Sequence, residues 1–191
     1  MSSVPEPGVS LDALAATMKS APAWHATFTQ RYVPAGFTSG STDHGRVLLA
    51  PPMRLRFDYD SASPRVFAVD GTVARLVDDA AGSCDAVLLD ASEWGRLPLA
   101  ALLDPAAARD TFTTTTHGNE LRLVPRQPMP ELAEVDVVVG HDGLPATVVA
   151  VDASGNRNEF TFGGWRRVAA PSDGLFQPSL PGTTPCAPEQ R

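Results

Sequence analysis

An antiparallel, mainly β fold with a few short helices is the class that this 191-residue sequence predicts. Three observations predict it. Short apolar/polar alternations at strand period recur along the chain. Turn dipeptides such as Asp70-Gly71 and Asp142-Gly143 separate them and suit tight reversals. Eighteen prolines and 15 glycines leave little room for long helices. With 43% apolar and 19% charged residues the composition is that of a globular protein, large enough to bury a core and keep apolar surface for a ligand. The expected organisation is a disordered N-terminal segment over residues 1–9, one domain over 10–182 and a flexible tail over 183–191.

Ser10 caps a predicted helix that carries Leu11, Leu14, Ala15 and Met18 at helical spacing, with Asp12 in the first turn and Lys19 before the stop at Pro22. Trp24, Ala26 and Phe28 then alternate with His25, Thr27 and Thr29, the period of a strand buried on one face. Pro34 to Gly45 reads as a loop or long turn. In the next two strands Val47 and Leu49, then Met53, Leu55, Phe57 and Tyr59, share one side. Arg54, Arg56 and Asp58 take the other. Pro51-Pro52 between them enforces a break, because neither residue can donate to a ladder. Arg65–Val69 and Thr72–Val77 flank Asp70-Gly71 as a tight hairpin with a primed turn.

From Ala80 the apolar residues Val87, Leu88, Leu89, Trp94, Leu97, Leu99, Leu102 and Leu103 recur at mixed helical spacing, broken by Gly95, Pro98 and Pro105, and predict short helical pieces. After Phe112, strands are expected at Leu121–Val124, Val135–Val139, Thr147–Val151 and Glu159–Phe162, joined by turns at His141–Gly143 and Asp152–Asn156. Pro171 to Arg191 is a loop or tail anchored at Leu175-Phe176. A flat sheet of nine or more strands would expose long edges and one apolar face. Curling it into a half-closed barrel, with the helices laid in its mouth, removes both problems.

The formal charge of −7, with no basic run to offset it, argues against nucleic acid as a partner. No stretch reaches the roughly 18 apolar residues of a membrane helix, and the first residues lack the parts of a signal peptide. Cys84 and Cys186 are far apart and outside any Cys-x-x-Cys pair; a disulfide and two unpaired cysteines are both compatible with the sequence. His44, His117 and His141 fall in predicted turns, His25 faces away from Trp24 and Phe28, and no pair has metal-ligand spacing. Neither a nucleophile elbow nor a phosphate loop nor a dinucleotide fingerprint occurs. No catalytic residue, metal or cofactor is expected.

Several segments in order resemble the LolA-type periplasmic lipoprotein carriers. They are Trp24–Gln30 after the first helix, Gly45–Phe57, Phe67–Gly71, Leu97–Leu103, Asp152–Asn156 before Phe160-Thr-Phe162, and Leu175–Gly182. The resemblance implies an unclosed antiparallel half-barrel whose concave apolar face, covered by a helical lid, takes up acyl chains. It also implies residence in the periplasm with a removed leader, an acylated lipoprotein or lipid as cargo, an inner-membrane transporter and an outer-membrane receptor as partners, a monomeric state and no enzymatic activity. A LolA-like sensor or accessory protein, which binds lipid without transporting it, is the second reading. A hydrolase on the same scaffold is a distant third.

The apolar side of the strands supplies the expected cavity wall: Phe28, Val47, Leu49, Leu55, Phe57, Leu121, Leu123, Phe160 and Phe162. By pattern alone a plain core is the favoured reading of these residues. It is the resemblance that makes them a wall, and Leu97, Leu99, Leu102 and Leu103 the lid. Carriers of this type commonly place a lid-holding basic residue where this chain has Pro51. Arg54 and Arg56 lie nearby, on the face opposite Leu55.

Overall fold

The computed structural model describes residues 8–90, 97, 99 and 103–189, among which eleven strands form one antiparallel sheet. Helix α1 spans Leu11–Lys19. β1 (Ala23–Val33), β2 (Ser41–Ala50), β3 (Arg54–Tyr59), β4 (Arg65–Val69), β5 (Val73–Asp78) and β6 (Ser83–Leu88) follow it. Helix α2 (Pro105–Thr111) leads into β7 (Phe112–His117), β8 (Glu120–Pro125), β9 (Glu134–Val139), β10 (Pro145–Val151) and β11 (Arg157–Val168). The strand order β6-β5-β4-β3-β2-β1-β11-β10-β9-β8-β7 is two meanders joined at their long first and last strands. Among the described residues β6 and β7 are left as unpaired edges, so the sheet does not close. The expected mainly β, unclosed half-barrel with short helices is what the chain forms.

Local chemistry explains the elements. Ser10 Oγ accepts the backbone N–H of Ala13, and α1 buries Leu11, Leu14, Ala15 and Met18. Asp104 does the same at α2, accepting from Ala106 and Ala107 next to a proline at the helix start. The Asp70-Gly71 hairpin is a two-residue turn over Gly71-Thr72. Gly71 adopts φ +108° and Asp70 Oδ1 accepts from the N–H groups of Thr72 and Val73. Pro51-Pro52 is a cis peptide in the turn between β2 and β3.

Four expectations are corrected. Val87 and Leu88, expected in a helical piece, belong to β6, where they pair with Ala74 and Val73. An edge strand that leaves them 47% and 60% exposed has no need of alternation. Ser41 to His44, expected in a loop with His44 in a turn, opens β2 opposite Thr29–Tyr32. Most of that end of the ladder faces solvent, so its residues are polar. β7 was not expected, because Thr113–Thr116 carries no apolar rhythm; only Phe112 of that strand is buried. β11 runs on past Phe162 to Val168. Gly163 pairs with Thr27, the register shifts, and Arg166–Val168 pair with Ala23–His25.

Even-numbered residues of β1 face one side and odd-numbered ones the other. Trp24, Ala26 and Phe28 join one large apolar cluster with Val47, Leu49, Leu55, Phe57, Leu121, Leu123, Val135, Val148, Phe160 and Phe162. The same cluster holds Leu11, Leu14 and Met18 of α1, Ala108 of α2, and Leu99 and Leu103. On the opposite face Ala23, Ala50 and Phe176 form a small separate cluster with Leu48 and Val168. Phe176 lies in a 3-10 turn, Asp173–Phe176, that the arginines of β3 hold in place. Arg54 binds Asp173 at 2.6 Å and stacks over the Phe176 ring, and Arg56 donates to the Leu175 carbonyl at 2.8 Å. Cys84 of β6 and Cys186 form a disulfide, and Arg75 Nε donates to the Cys186 carbonyl.

Candidate functional site: a covered apolar concave face

The centre of the concave face is aromatic. Phe28 meets Phe57 edge-on at 5.0 Å between centroids, Phe57 lies 5.7 Å from Phe160, and Phe162 links Phe160 to Trp165. These rings come from β1, β3 and β11, so β2 must let them close over it. Gly45, opposite both Phe28 and Tyr59, does so. A Cβ there would sit 1.9 Å from the Asp58 carbonyl oxygen and 3.1 Å from the Phe28 ring. To either side the face is lined by the aliphatic residues of β2, β3 and β8.

The nine expected wall residues fall in this one cluster, and none is more than 8% exposed. Of the expected lid residues, Leu99 and Leu103 are buried in the same cluster and Leu97 packs against it; Leu102 lies outside the described residues. The topology explains why they meet. β6 and β7 are opposite edges, so the chain between Leu88 and Phe112 must travel from one side of the sheet to the other. Two surface depressions of about 470 and 490 Å³ lie elsewhere, at the β7–β8 hairpin and between the end of α1 and Pro51-Pro52.

α1, expected in the mouth of the sheet but not among the lid residues, contributes Leu11, Leu14 and Met18 to this cover. Trp24 Nε1 donates to the Met18 carbonyl at 2.8 Å, and Arg167 lies over the Trp24 ring while donating to Ser20 Oγ. Arg109 of α2 pairs with Asp12 of α1. Arg54 and Arg56 are committed to the opposite face, so neither takes the place of the basic residue missing at Pro51. Among the described residues the cover is therefore held by apolar burial, the indole hydrogen bond, the contact of Arg167 with Ser20 and an exposed ion pair.

A polar layer follows the aromatic one. Tyr59, 5.1 Å from Phe28 between ring centroids, donates its hydroxyl to Gln30 Oε1 at 2.7 Å, and Gln30 Nε2 donates to Asn158 Oδ1 at 2.9 Å. Burial pushes the Tyr59 phenol up to about 12, Asp43 adding to the effect and Arg65 opposing it. Single polar residues amid strand alternation carry no signal that they will meet, so sequence reasoning missed them. His25 is half-buried on the other face; burial, with Arg166 and Arg46, holds its pKa below 6.5. Among the described residues no three His, Cys, Asp or Glu side chains gather as metal ligands would.

These features define an unclosed β half-barrel whose apolar interior is roofed by its own helices. The family model of the outer membrane lipoprotein carrier protein LolA matches residues 19–179, and the chain belongs to that family. An outer-membrane lipoprotein carrier protein from Xanthomonas axonopodis pv. citri (strain 306) is 29% identical over 147 residues, 73% of this chain and 69% of that one. A solved structure of an uncharacterized conserved protein from Thermus thermophilus shares the fold, with TM-score 0.53, 12% identity and coverage of 91% and 94% of the two chains. The solved MucA/MucB complex of Pseudomonas aeruginosa matches at TM-score 0.49 and 15% identity, over 88% of this chain; the chain spans 59% of the one it matches there.

Proposed function

We propose that this protein is a periplasmic carrier that buries the acyl chains of lipoproteins against the concave face and shuttles them from the inner to the outer membrane. The wall is Phe28, Val47, Leu49, Leu55, Phe57, Leu121, Leu123, Phe160 and Phe162, and the lid is α1 with Leu97, Leu99, Leu102 and Leu103. The observation that carries this reading is that the apolar face is already occupied by the protein's own helices.

A chain of about 16 carbons gains about 0.8 kcal/mol per buried CH₂, or about 13 kcal/mol before ordering and association costs. A rigid empty cavity would keep much of that gain and release its cargo slowly. Here the ligand must first displace Leu11, Leu14, Met18, Leu99 and Leu103, each of which gains about 1.5–3 kcal/mol from burial. The net affinity is a difference of two burials, which is what a carrier that both accepts and hands over requires. A transporter in the inner membrane would supply the cargo and a receptor at the outer membrane would receive it.

The test is native mass spectrometry of protein recovered from its own periplasm, with extraction of acylated lipoprotein from membrane vesicles by the purified chain. Co-purifying acylated species and extraction are expected. Absence of both overturns the carrier reading.

A further inference from the structure

Beyond the aromatic rings the concave face carries a row of polar side chains on five neighbouring strands: Asn158 on β11, Gln30 on β1, Asp43 on β2, Tyr59 on β3 and Arg65 on β4. Each of Asn158, Gln30 and Tyr59 stands two residues from Phe160, Phe28 and Phe57 respectively, on the same face of its strand. An acyl chain lying along the rings therefore ends among them. In the chain of hydrogen bonds from Tyr59 through Gln30 to Asn158, the carboxamide Nδ2 of Asn158 donates to no group among the described residues, and the Tyr59 oxygen accepts from none of them. One uncharged donor and one uncharged acceptor remain open beside the apolar face.

The cation in the row is already engaged. Arg65 lies over the Tyr59 ring at 5.2 Å and binds Asp43 at 3.4 Å, and Asp78 stands opposite it on β5. With two carboxylates facing one guanidinium, the rim has a net negative charge. A carboxylate or phosphate would have to displace Asp43 from Arg65 before it could bind there.

We propose that Tyr59, Gln30 and Asn158 form a headgroup subsite for the uncharged ester or amide that joins an acyl chain to its parent molecule, with Asp43 on Arg65 excluding anionic headgroups. This rests on the carrier reading and adds to it a selectivity among acylated molecules. The carbonyl oxygen of the ester or amide accepts from Asn158 Nδ2, and a neighbouring hydroxyl or amide N–H donates to the Tyr59 oxygen. Both a lipoprotein's acylated N-terminus and a free diacylglycerol present these groups.

Displacement of a fluorescent apolar probe by four two-chain competitors separates the possibilities: an N-acetylated, C-amidated dipalmitoyl lipopeptide of uncharged residues, dipalmitoylglycerol, dipalmitoylglycerol hemisuccinate and dipalmitoyl phosphatidic acid. The two neutral competitors are expected to bind about tenfold more tightly than the anionic pair. The lipopeptide exceeding dipalmitoylglycerol assigns the site to lipoprotein; the reverse assigns it to a neutral lipid. Gln30→Leu weakens the neutral competitors about fivefold, the worth of one net hydrogen bond. The nearly isosteric Asp43→Asn, on a partly exposed side chain, frees Arg65 and brings the hemisuccinate to within about threefold of dipalmitoylglycerol. Equal binding of neutral and anionic competitors, or a preference unmoved by Asp43→Asn, overturns the subsite and leaves the carrier reading standing. Binding of none of the four removes the carrier reading and the subsite together.

Discussion

The indole of Trp24 holds the last turn of α1 through its hydrogen bond to the carbonyl oxygen of Met18, 2.8 Å long and buried. A carbonyl at a helix end has no partner within the helix, so this bond satisfies it while fixing where the helix lies on the sheet. Replacing the indole with Phe keeps most of the ring volume and removes the donor. Trp24→Phe should cost about 1–3 kcal/mol, and hydrogen exchange at Leu14 to Met18 should accelerate more than at β9 or β10. Uniform acceleration over the whole sheet would show that α1 is not a separately opening element.

The ion pair of Asp12 and Arg109, both exposed, bridges α1 and α2, but solvent screening keeps such pairs below about 1 kcal/mol. Leu103, 1% exposed within the large cluster, should matter more: Leu103→Ala is expected to cost about 2–5 kcal/mol. Denaturant melts of Asp12→Ala, Leu103→Ala and the double variant check the order. If Asp12→Ala costs more than Leu103→Ala, charge and not apolar burial holds the cover.

Phe57 sits among three aromatic neighbours on the concave face, 3% exposed. Phe57→Glu places a carboxylate in that cluster and should abolish acyl binding in a chain still folded by circular dichroism. Unchanged uptake by the folded variant would place the ligand on another surface.

The disulfide of Cys84 with Cys186 spans 102 residues and ties the tail to edge strand β6. Closing a loop of that size removes much of the unfolded chain's freedom. The double replacement Cys84→Ser/Cys186→Ser should lower stability by about 2–5 kcal/mol in guanidinium melts. A loss below about 1 kcal/mol would mean that noncovalent contacts, among them those of Phe176, Arg54, Arg56 and Arg75, suffice to hold the tail.

Asp70 accepts from Arg75 and from the backbone of Thr72 and Val73. Its burial works to raise its pKa, but those hydrogen bonds and the Arg75 charge outweigh that and hold the carboxyl below its ordinary 3.8. A lowered folded-state value stabilises at pH above 3.8, and the contribution disappears as the pH falls through the lower folded value. Thermal melts from about pH 6 down to about pH 2.5 should therefore fall less steeply for Asp70→Asn than for the unaltered chain. Parallel slopes would show that the Asp70 carboxylate contributes nothing to acid stability.

Much of the fold was legible in the sequence because half-buried strands advertise themselves. Phe28 among threonines, Val47 and Leu49, Leu55 and Phe57, and the Asp70-Gly71 turn each state their conformation within a few residues. The strands that were missed lack that contrast. β6 and β7 are edges, and β2 begins with Ser41–His44 at the exposed end of its ladder. A strand without a buried face has nothing for alternation to record.

The candidate site divides in the same way. By itself the sequence determined which residues are apolar, on which side of each strand they stand, and that so many strands must curl to hide one face. Only the tertiary structure decided that β1 and β11 lie side by side, which brings Phe28, Phe57 and Phe160 together and lines up Gln30, Tyr59 and Asn158 beyond them. It also decided that Cys84 meets Cys186, that Arg54 and Arg56 hold the Asp173–Phe176 turn, and that Trp24 reaches Met18. Local preference acts over a few residues and is written in each segment. Meetings between segments far apart in the chain arise when one sheet buries a single apolar face, and no segment records them.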